Sequence, residues 1–264
     1  MKKLYWIAVI AALVAPACKK IVTLKLNNVP AAIVIQGNVT NEPGPYYVTI
    51  SQPVDFYADN NFPPVSGATV LISNSEGQTD SLTEVSPGNY ATNFLQGAPG
   101  DTYRLSVTAQ GVNYTASSTM PATVNLDSIT FEENKGFGQT RISAVANFQD
   151  PAGVRNYYQF VEYLNGAALT KDLFVFDDRL SDGRYISYTL YNDTSYLQPG
   201  DAVRLDLYCI DSAVYNYFFQ LLQSDGAGSF NTSASPANPT SNISGGAYGY
   251  FSAHTVSSQS EFIP

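Results

Sequence analysis

Short stretches of alternating apolar and polar residues recur along the chain and constrain its fold more than any other feature. From Ala32 onward they return about every 8–12 residues, the spacing of strands in a sandwich or barrel, and turn sequences such as NEPGP and GAPGD separate them. In TYRLSVTA, Tyr103, Leu105 and Val107 share one strand face, because successive side chains point to opposite faces. Gln110-Gly111 then predicts a tight hairpin turn. The pattern predicts an all-β fold with sandwich-like sheets.

Breaks in this strand series predict two tandem β-sandwich-like domains. The first, residues 31–122, resembles immunoglobulin-like or transthyretin-like modules, and Met120-Pro121 closes it. The second, residues 123–264, is β-rich and carries one amphipathic helix near 212–224. We expect residues 30–122 to fold alone if their core is self-contained.

The helix is predicted from a change in the hydrophobic period. Asp211 or Ser212 can cap its first turn, since both side chains accept hydrogen bonds from backbone N–H groups. Apolar residues then recur at spacings of three and four, which places them on one helical face. These residues are Val214, Tyr217, Phe218, Leu221 and Leu222.

The first residues have the build of a secretory signal peptide. Lys2 and Lys3 precede an apolar run from Leu4 to Val14, which is shorter than the roughly 20 residues of a membrane-spanning helix. Small residues follow, so residues 1–17 are predicted to be removed. Ala17-Cys18 resembles a bacterial lipobox, although Ala stands at position 15 where a strong lipobox has Leu. We favour acylation of Cys18, with residues 18–30 as anchor and tether.

Two alternatives remain for Cys18. Ala15-Pro16-Ala17 also satisfies the A-x-A rule for ordinary signal peptidase, which would leave the thiol without lipid. A disulfide with Cys209, the other cysteine, would be allowed in an oxidising compartment. Against the disulfide, Cys209 shares one strand face with Leu205 and Leu207 by period-two alternation, which predicts a small buried hydrophobe.

The charge balance narrows the classes of partner. The full chain has a formal charge of −9, and removal of the leader, with two lysines and no acid, takes it to −11. This acidic charge argues against nucleic-acid binding, since phosphates need Lys and Arg. It also argues against a polybasic contact with anionic lipid.

Residues that could perform catalysis are sparse. His254 is the only histidine, so a Ser–His–Asp triad would depend on it, and zinc sites need more His or Cys than the chain has. We predict no enzyme activity, no metal and no cofactor. Acidic residues in FDDRLSDGR and YADNNF could offer oxygen ligands to calcium, but solvated turns are the favoured interpretation because the order is not that of an EF-hand. These residues are Asp59, Asp177, Asp178 and Asp182.

Aromatic residues raise a different possibility, since exposed rings can stack on sugars. In alternating strands half of any adjacent pair faces outward, but packing is the favoured interpretation for most of them. The candidates are Tyr46-Tyr47, Phe56-Tyr57, Phe62, Tyr157-Tyr158 and Tyr215 with Tyr217.

The stretch PANPTSNISGGAYGYFSA offers a candidate ligand or partner loop. Its prolines hold an extended path, its asparagines shape turns, and two tyrosines lead into a closing strand. A loop that only covers the sheet is the competing interpretation. The candidate residues are Asn238, Asn242, Tyr248 and Tyr250.

The same C-terminal stretch, continued to residue 258 and preceded by SAVYNYFFQLLQS, resembles the end of a lipoprotein family of Bacteroidetes catalogued as domain of unknown function 4249. The start, ACKKIVTLKLNNVPAAIVIQGNVTNEPGPYYVTISQ, and the middle, FPPVSGATVLISNSEG, are similar to that family too. The resemblance implies a lipid-anchored outer-membrane protein that accompanies a TonB-dependent receptor in nutrient uptake. It supplies no catalytic residues. Lys19 and Lys20 stand where members often have an acid, which leaves both the surface and the periplasmic face open.

The sequence thus predicts a non-enzymatic accessory or binding protein of the outer membrane. A carbohydrate-binding surface module is the first alternative, and a hydrolase using His254 is the second.

Overall fold

Strands form most of the structure, as the alternating pattern predicts. A computed structural model describes residues 32–54, 62–136, 139–192, 197–224 and 238–264. The early strands within these ranges are β1 (Val34–Thr40), β2 (Tyr47–Ser51), β3 (Thr69–Ser73), β4 (Thr79–Ser81), β5 (Thr83–Ser86), β6 (Asn89–Ala91), β7 (Thr102–Ala109) and β8 (Val112–Thr119). The later strands are β9 (Leu126–Gly136), β10 (Gln139–Gln149), β11 (Tyr157–Leu164), β12 (Ala167–Ala168), β13 (Phe174–Asp177), β14 (Tyr185–Leu190), β15 (Ala202–Cys209) and β16 (Tyr248–Phe262).

These strands form three sheets. The largest has the order β12-β11-β15-β16-β1-β2-β6-β5, with β13 also paired to β11. A four-stranded sheet has the order β4-β3-β7-β8, and a three-stranded sheet has the order β14-β10-β9. The predicted all-β, sandwich-like fold with one helix is therefore confirmed for the described residues.

The hairpin between β7 and β8 shows how local sequence sets the pairing. Tyr103, Leu105 and Val107 are buried, while the residues between them face outward or are half-buried. Gln110 and Gly111 both have positive φ angles, 50° and 79°, which is the conformation of a two-residue hairpin turn that matches strand twist. The predicted turn is confirmed.

Strand β16 joins the two halves of the chain. Its first part, Tyr248 to His254, pairs in parallel with β1. Its second part, Thr255 to Phe262, pairs antiparallel with β15. One continuous strand thus connects the N-terminal strand series to the C-terminal one.

Two large apolar cores lie on either side of the predicted boundary. The first is built from residues between Ile33 and Met120, and the second begins at Val124. The first core is not self-contained, however, because it includes Ile243, Ala247, Phe251 and Ala253 from the C-terminal segment. The condition for independent folding of residues 30–122 is therefore not met, while the division at 122/123 stays a prediction.

The helix, α1 (Ser212–Ser224), lies where the period change predicts it. Asp211 caps it, since Oδ1 accepts hydrogen bonds from the N–H groups of Ala213 and Val214, both at 2.9 Å. Val214, Tyr215 and Phe218 are buried, so Tyr215 joins the predicted face. Leu221 and Leu222 are only half-buried, because they lie at the end of the helix.

The packing of α1 is against the largest sheet. Its buried side chains form a third apolar cluster with Val175 of β13, Ile210, and half-buried aromatic residues of the sheet. None of the helices in the described ranges combines the length and the apolar character that a membrane span requires.

Candidate functional site

The four candidate residues of the predicted ligand or partner loop fall into two pairs. One pair packs within the structure and the other is exposed to solvent. Asn242 forms a pair of hydrogen bonds with the backbone of Phe251, donating to its carbonyl at 2.7 Å and accepting from its N–H at 2.9 Å. Tyr250 packs between Tyr217 and Phe218, with ring centroids 5.3 and 4.8 Å away. Both side chains therefore help to hold the loop and α1 on the sheet.

The other two loop residues remain available. Asn238 and Tyr248 are exposed to solvent, Tyr248 at the start of β16. The backbone between them is fixed to β8, since Ile243 forms a bridge with Ala116 and the N–H of Ser244 donates to the Thr115 carbonyl. This part of the loop thus pairs with the middle of β8, and the choice between a ligand loop and a covering loop stays a prediction.

His254 lies inside the structure. It is buried in β16, its Nδ1 is 2.9 Å from the hydroxyl of Ser252, and its ring lies 4.6 Å from that of Tyr208. Burial lowers the pKa of His254 to about 4, because the charged imidazolium would be desolvated. Ser252 is buried as well, so this pair offers a substrate no surface to approach.

Cys209 is also internal. It carries a free, buried thiol, and burial raises its pKa. The backbone N–H of Val124 donates to its sulfur at 3.4 Å. The predicted role as a small buried hydrophobe in a strand is confirmed, while Cys18 lies outside the described residues.

The adjacent acids of FDDRLSDGR separate into two environments. Asp177 accepts from Arg179 Nε and from the Tyr215 hydroxyl, each at 2.8 Å. This contact with Asp177, together with burial as the larger cause, raises the pKa of Tyr215 to about 12. Asp178 faces a different way and meets Asp150 and Asp182.

The three carboxylates of Asp150, Asp178 and Asp182 connect two loops. Each accepts a backbone hydrogen bond from the other loop: Gly183 N–H to Asp150 at 2.8 Å, Asn156 N–H to Asp178 at 2.7 Å, and Gly153 N–H to Asp182 at 2.8 Å. Asp150 also accepts from the buried Tyr158 hydroxyl at 2.5 Å. Sequence inspection identified Asp178 and Asp182 but missed Asp150, which stands 28 residues before Asp178 and carries no local signal.

The sugar-stacking candidates are mostly structural. Tyr46, Tyr158 and Tyr215 are buried, and Tyr157 and Tyr217 are half-buried against α1 and its neighbours. Tyr47 and Phe62 are exposed. Phe56, Tyr57 and Asp59 lie outside the described residues.

A more open aromatic surface occurs on the three-stranded sheet, at residues that no sequence pattern singles out. Tyr185 begins β14, Tyr191 directly follows it, and the two side chains are 56% and 63% exposed. Between and beside them the same face presents exposed polar side chains on β9, β10 and β14. These are Ser128, Thr130, Glu132, Gln149 and Ser187.

Comparison with known proteins places the chain in a family. A family model described as "Domain of unknown function (DUF4249)" matches residues 19–260. The chain belongs to the DUF4249 family. The match covers nearly all of the chain after Cys18, so the described strands, α1 and the acidic loops belong to the DUF4249 region.

Other comparisons add little to the description of this DUF4249 protein. No curated protein matches it. A solved structure of the Yersinia pseudotuberculosis adhesin InvE matches with 20% identity and a TM-score of 0.23, covering 67% of this chain and 55% of that one. A DUF4785 family protein from Legionella pneumophila matches with 15% identity and a TM-score of 0.23, covering 67% and 52%. The chain thus spans about half the length of each.

Proposed function

We propose that this DUF4249 protein is a lipid-anchored, non-enzymatic binding or accessory protein of the outer membrane that partners a TonB-dependent receptor. The proposal that the protein is not an enzyme rests on the position of His254. It is the only histidine in the sequence, and it is buried and neutral at physiological pH. A general base needs contact with substrate and a pKa near the working pH, and His254 has neither.

The leader and the family support the anchor. The family model begins at residue 19, directly after Cys18, which is consistent with a mature protein that starts at the cysteine. Acyl chains on Cys18 contribute about 0.8 kcal/mol for each methylene buried in lipid, so two or three chains hold the β-rich body at the membrane. The body then presents its exposed faces to a membrane partner.

Changing Cys18 to Ser should release the protein from the membrane. Without the thiol no acyl chain is attached, so the variant should appear in the soluble fraction instead of the outer-membrane fraction. Cys209→Ser is the matched control, since its thiol is buried, and this variant should stay with the membrane. Mass spectrometry of the wild type should show acylated Cys18, and a free or disulfide-bonded Cys18 would contradict the proposal. A TonB-dependent receptor should co-purify with the wild type and with Cys209→Ser, but not with Cys18→Ser.

A second candidate function is carbohydrate binding on the outer face of the three-stranded sheet. The observation that favours it is the pair of exposed rings, Tyr185 and Tyr191, beside a row of hydroxyl, amide and carboxylate groups. Apolar ring faces stack on sugars while the neighbouring polar groups accept and donate hydrogen bonds. The two positions stand at the start of β14 and directly after its end. Six residues at about 3.3 Å per residue separate them by about 20 Å, which is the span of a short oligosaccharide.

A glycan array tests this second function. The wild type should bind a subset of oligosaccharides, and Tyr185→Ala and Tyr191→Ala should each weaken that binding by about tenfold, equivalent to a stacking contribution near 1.4 kcal/mol. Tyr47→Ala is the control, because Tyr47 is an exposed tyrosine on another sheet. Equal loss in all three variants, or no binding by the wild type, would reject the sheet face as a sugar site.

A further inference from the structure

Three carboxylates from two loops converge at one end of the second core. Asp150 follows β10, while Asp178 and Asp182 lie between β13 and β14. Each residue places one carboxylate oxygen within 4.8 Å of the other two. Asp150 and Asp178 are each only 1% exposed, whereas Asp182 is exposed to solvent.

This spacing fits a single calcium ion. Calcium binds oxygen at about 2.3–2.6 Å, so two ligands on opposite sides of one ion are about 5 Å apart. The three oxygens lie inside that limit. Calcium also accepts six to eight oxygen ligands in irregular geometry, which leaves positions for water on the exposed side of Asp182.

Positive charge around the cluster is scarce. Within the described part of the chain, Arg155 is the only basic residue in an ion pair with any of the three acids. Its Nε lies 3.4 Å from Asp178 Oδ1 and its Nη2 lies 3.4 Å from Asp177 Oδ1, and both distances exceed those of a good N–H···O bond. Buried carboxylates are strongly disfavoured unless they are paired and hydrogen-bonded. Asp178 has this one long ion pair, and Asp150 has hydrogen bonds from Tyr158 and Gly183 but no ion pair among the described residues. A cation at the cluster would therefore add favourable charge.

A second observation concerns two buried oxygens in the loop after β13. Asp178 Oδ1 is buried and accepts no hydrogen bond. Its contact with Arg155 Nε is the 3.4 Å ion pair, and the other oxygen of the same carboxylate accepts from Asn156 N–H. Ser181 Oγ, three residues further along the same loop, is likewise buried without a hydrogen bond. Buried polar oxygens of this kind are rare unless a water or an ion completes them.

We propose that Asp150, Asp178 and Asp182 form a calcium-binding site that fastens the loop after β10 to the loop after β13. The backbone hydrogen bonds between the loops position the carboxylates, and the ion adds positive charge to the single long ion pair that Arg155 makes with Asp178. The ligands come from two separate segments, so the site has no linear calcium motif. Magnesium fits less well, since it demands near-octahedral geometry at about 2.1 Å and the backbone bonds fix the three carboxylates.

Terbium luminescence and thermal unfolding test the site in the full mature chain. Terbium occupies calcium sites, and the Tyr158 hydroxyl contacts Asp150, so tyrosine excitation should produce terbium emission that calcium displaces. After treatment with a chelator, added calcium should raise the melting temperature with a half-saturation near 10⁻⁴–10⁻³ M, about the range of extracellular calcium modules. Equimolar magnesium should give a much smaller rise.

The decisive variant is Asp182→Asn. Its amide oxygen can still accept from Gly153 N–H, so the variant should fold with an unchanged melting temperature in chelator, while its calcium affinity should fall by about tenfold or more through the loss of one charged ligand. Asp127→Asn removes the same charge from an exposed position on β9 and should behave as the wild type. Absence of a calcium response, an equal response to magnesium, or an unchanged affinity in Asp182→Asn would each overturn the proposal.

Discussion

Gly249→Ala should prevent the chain from reaching a stable native state. Gly249 pairs with Ile35 where β16 meets β1, and it has a φ of 94°. A Cβ at this position would come closer than 3.0 Å to the carbonyl oxygen and carbon of Ile35. Both strands lie in the middle of the largest sheet, so neither backbone can move without breaking its other pairings. The expected loss is about 5 kcal/mol or more, comparable to the whole stability of many domains.

Gly246→Ala separates steric overlap from backbone strain. Gly246 has a similar φ of 85°, but a Cβ there would meet no atom within 4 Å. Its replacement should therefore cost only the strain of a positive φ, about 1–3 kcal/mol. Urea unfolding followed by circular dichroism should show a shifted midpoint for Gly246→Ala and no cooperative transition for Gly249→Ala. Similar midpoints for the two variants would show that the backbone of β16 can shift at Gly249 to make room for a Cβ, which would contradict the prediction.

The strands and the helix could be predicted because their signals are local. Tyr103, Leu105 and Val107 reveal one face of β7 by alternation alone. Asp211 reveals the start of α1 because a cap acts on the N–H groups of the next few residues. Such features require no knowledge of the rest of the chain.

The pairing of β1 with β16 could not be predicted in this way. The two strands are separated by more than 200 residues, and the alternation of each is compatible with many partners. The structure shows why the two strands fit together. The Phe251 ring of β16 packs over Gly37 of β1, where a Cβ would lie only 3.1 Å from the ring. For the same reason the sequence predicted an independent first domain, while the structure adds Phe251 to its core.

The candidate sites show the same limit. Asn242 and Tyr250 stand out in the sequence as polar and aromatic loop residues. Their contacts, however, are with Phe251 and with α1, and only the fold brings these partners to them. Asp178 was considered with its neighbour Asp177, since adjacency is what a sequence displays. Its real companion is Asp150 from another loop, and only the fold brings the two together.

Two buried ionisable groups should make the stability of the wild type unusually flat with pH. Burial raises the pKa of Glu162 to about 7 from 4.5, so the folded state holds a proton that the unfolded state has lost, and stability falls as pH rises from 4.5 to 7. Burial lowers the pKa of His254 to about 4 from 6.5, so the unfolded state binds the extra proton and stability rises from pH 4 to 6.5. Over most of this window the two effects have opposite signs and similar size.

Glu162→Gln should remove the contribution of Glu162 to the pH dependence of stability and leave that of His254. Glu162 is 1% exposed and accepts a 2.5 Å hydrogen bond from Asn192 Nδ2, while its other oxygen and Asn192 Oδ1 are buried without donors. A proton on Glu162, or the amide of Gln, supplies a donor that the ionised carboxylate lacks. The variant should match the wild type near pH 4 and exceed its free energy of unfolding by about 3 kcal/mol at pH 8, since each unit of pKa shift corresponds to about 1.4 kcal/mol. Glu133→Gln, at an exposed position on β9, should show no such divergence. Urea unfolding at several pH values measures all three proteins, and parallel curves for Glu162→Gln and the wild type would mean that Glu162 ionises in the folded state without penalty.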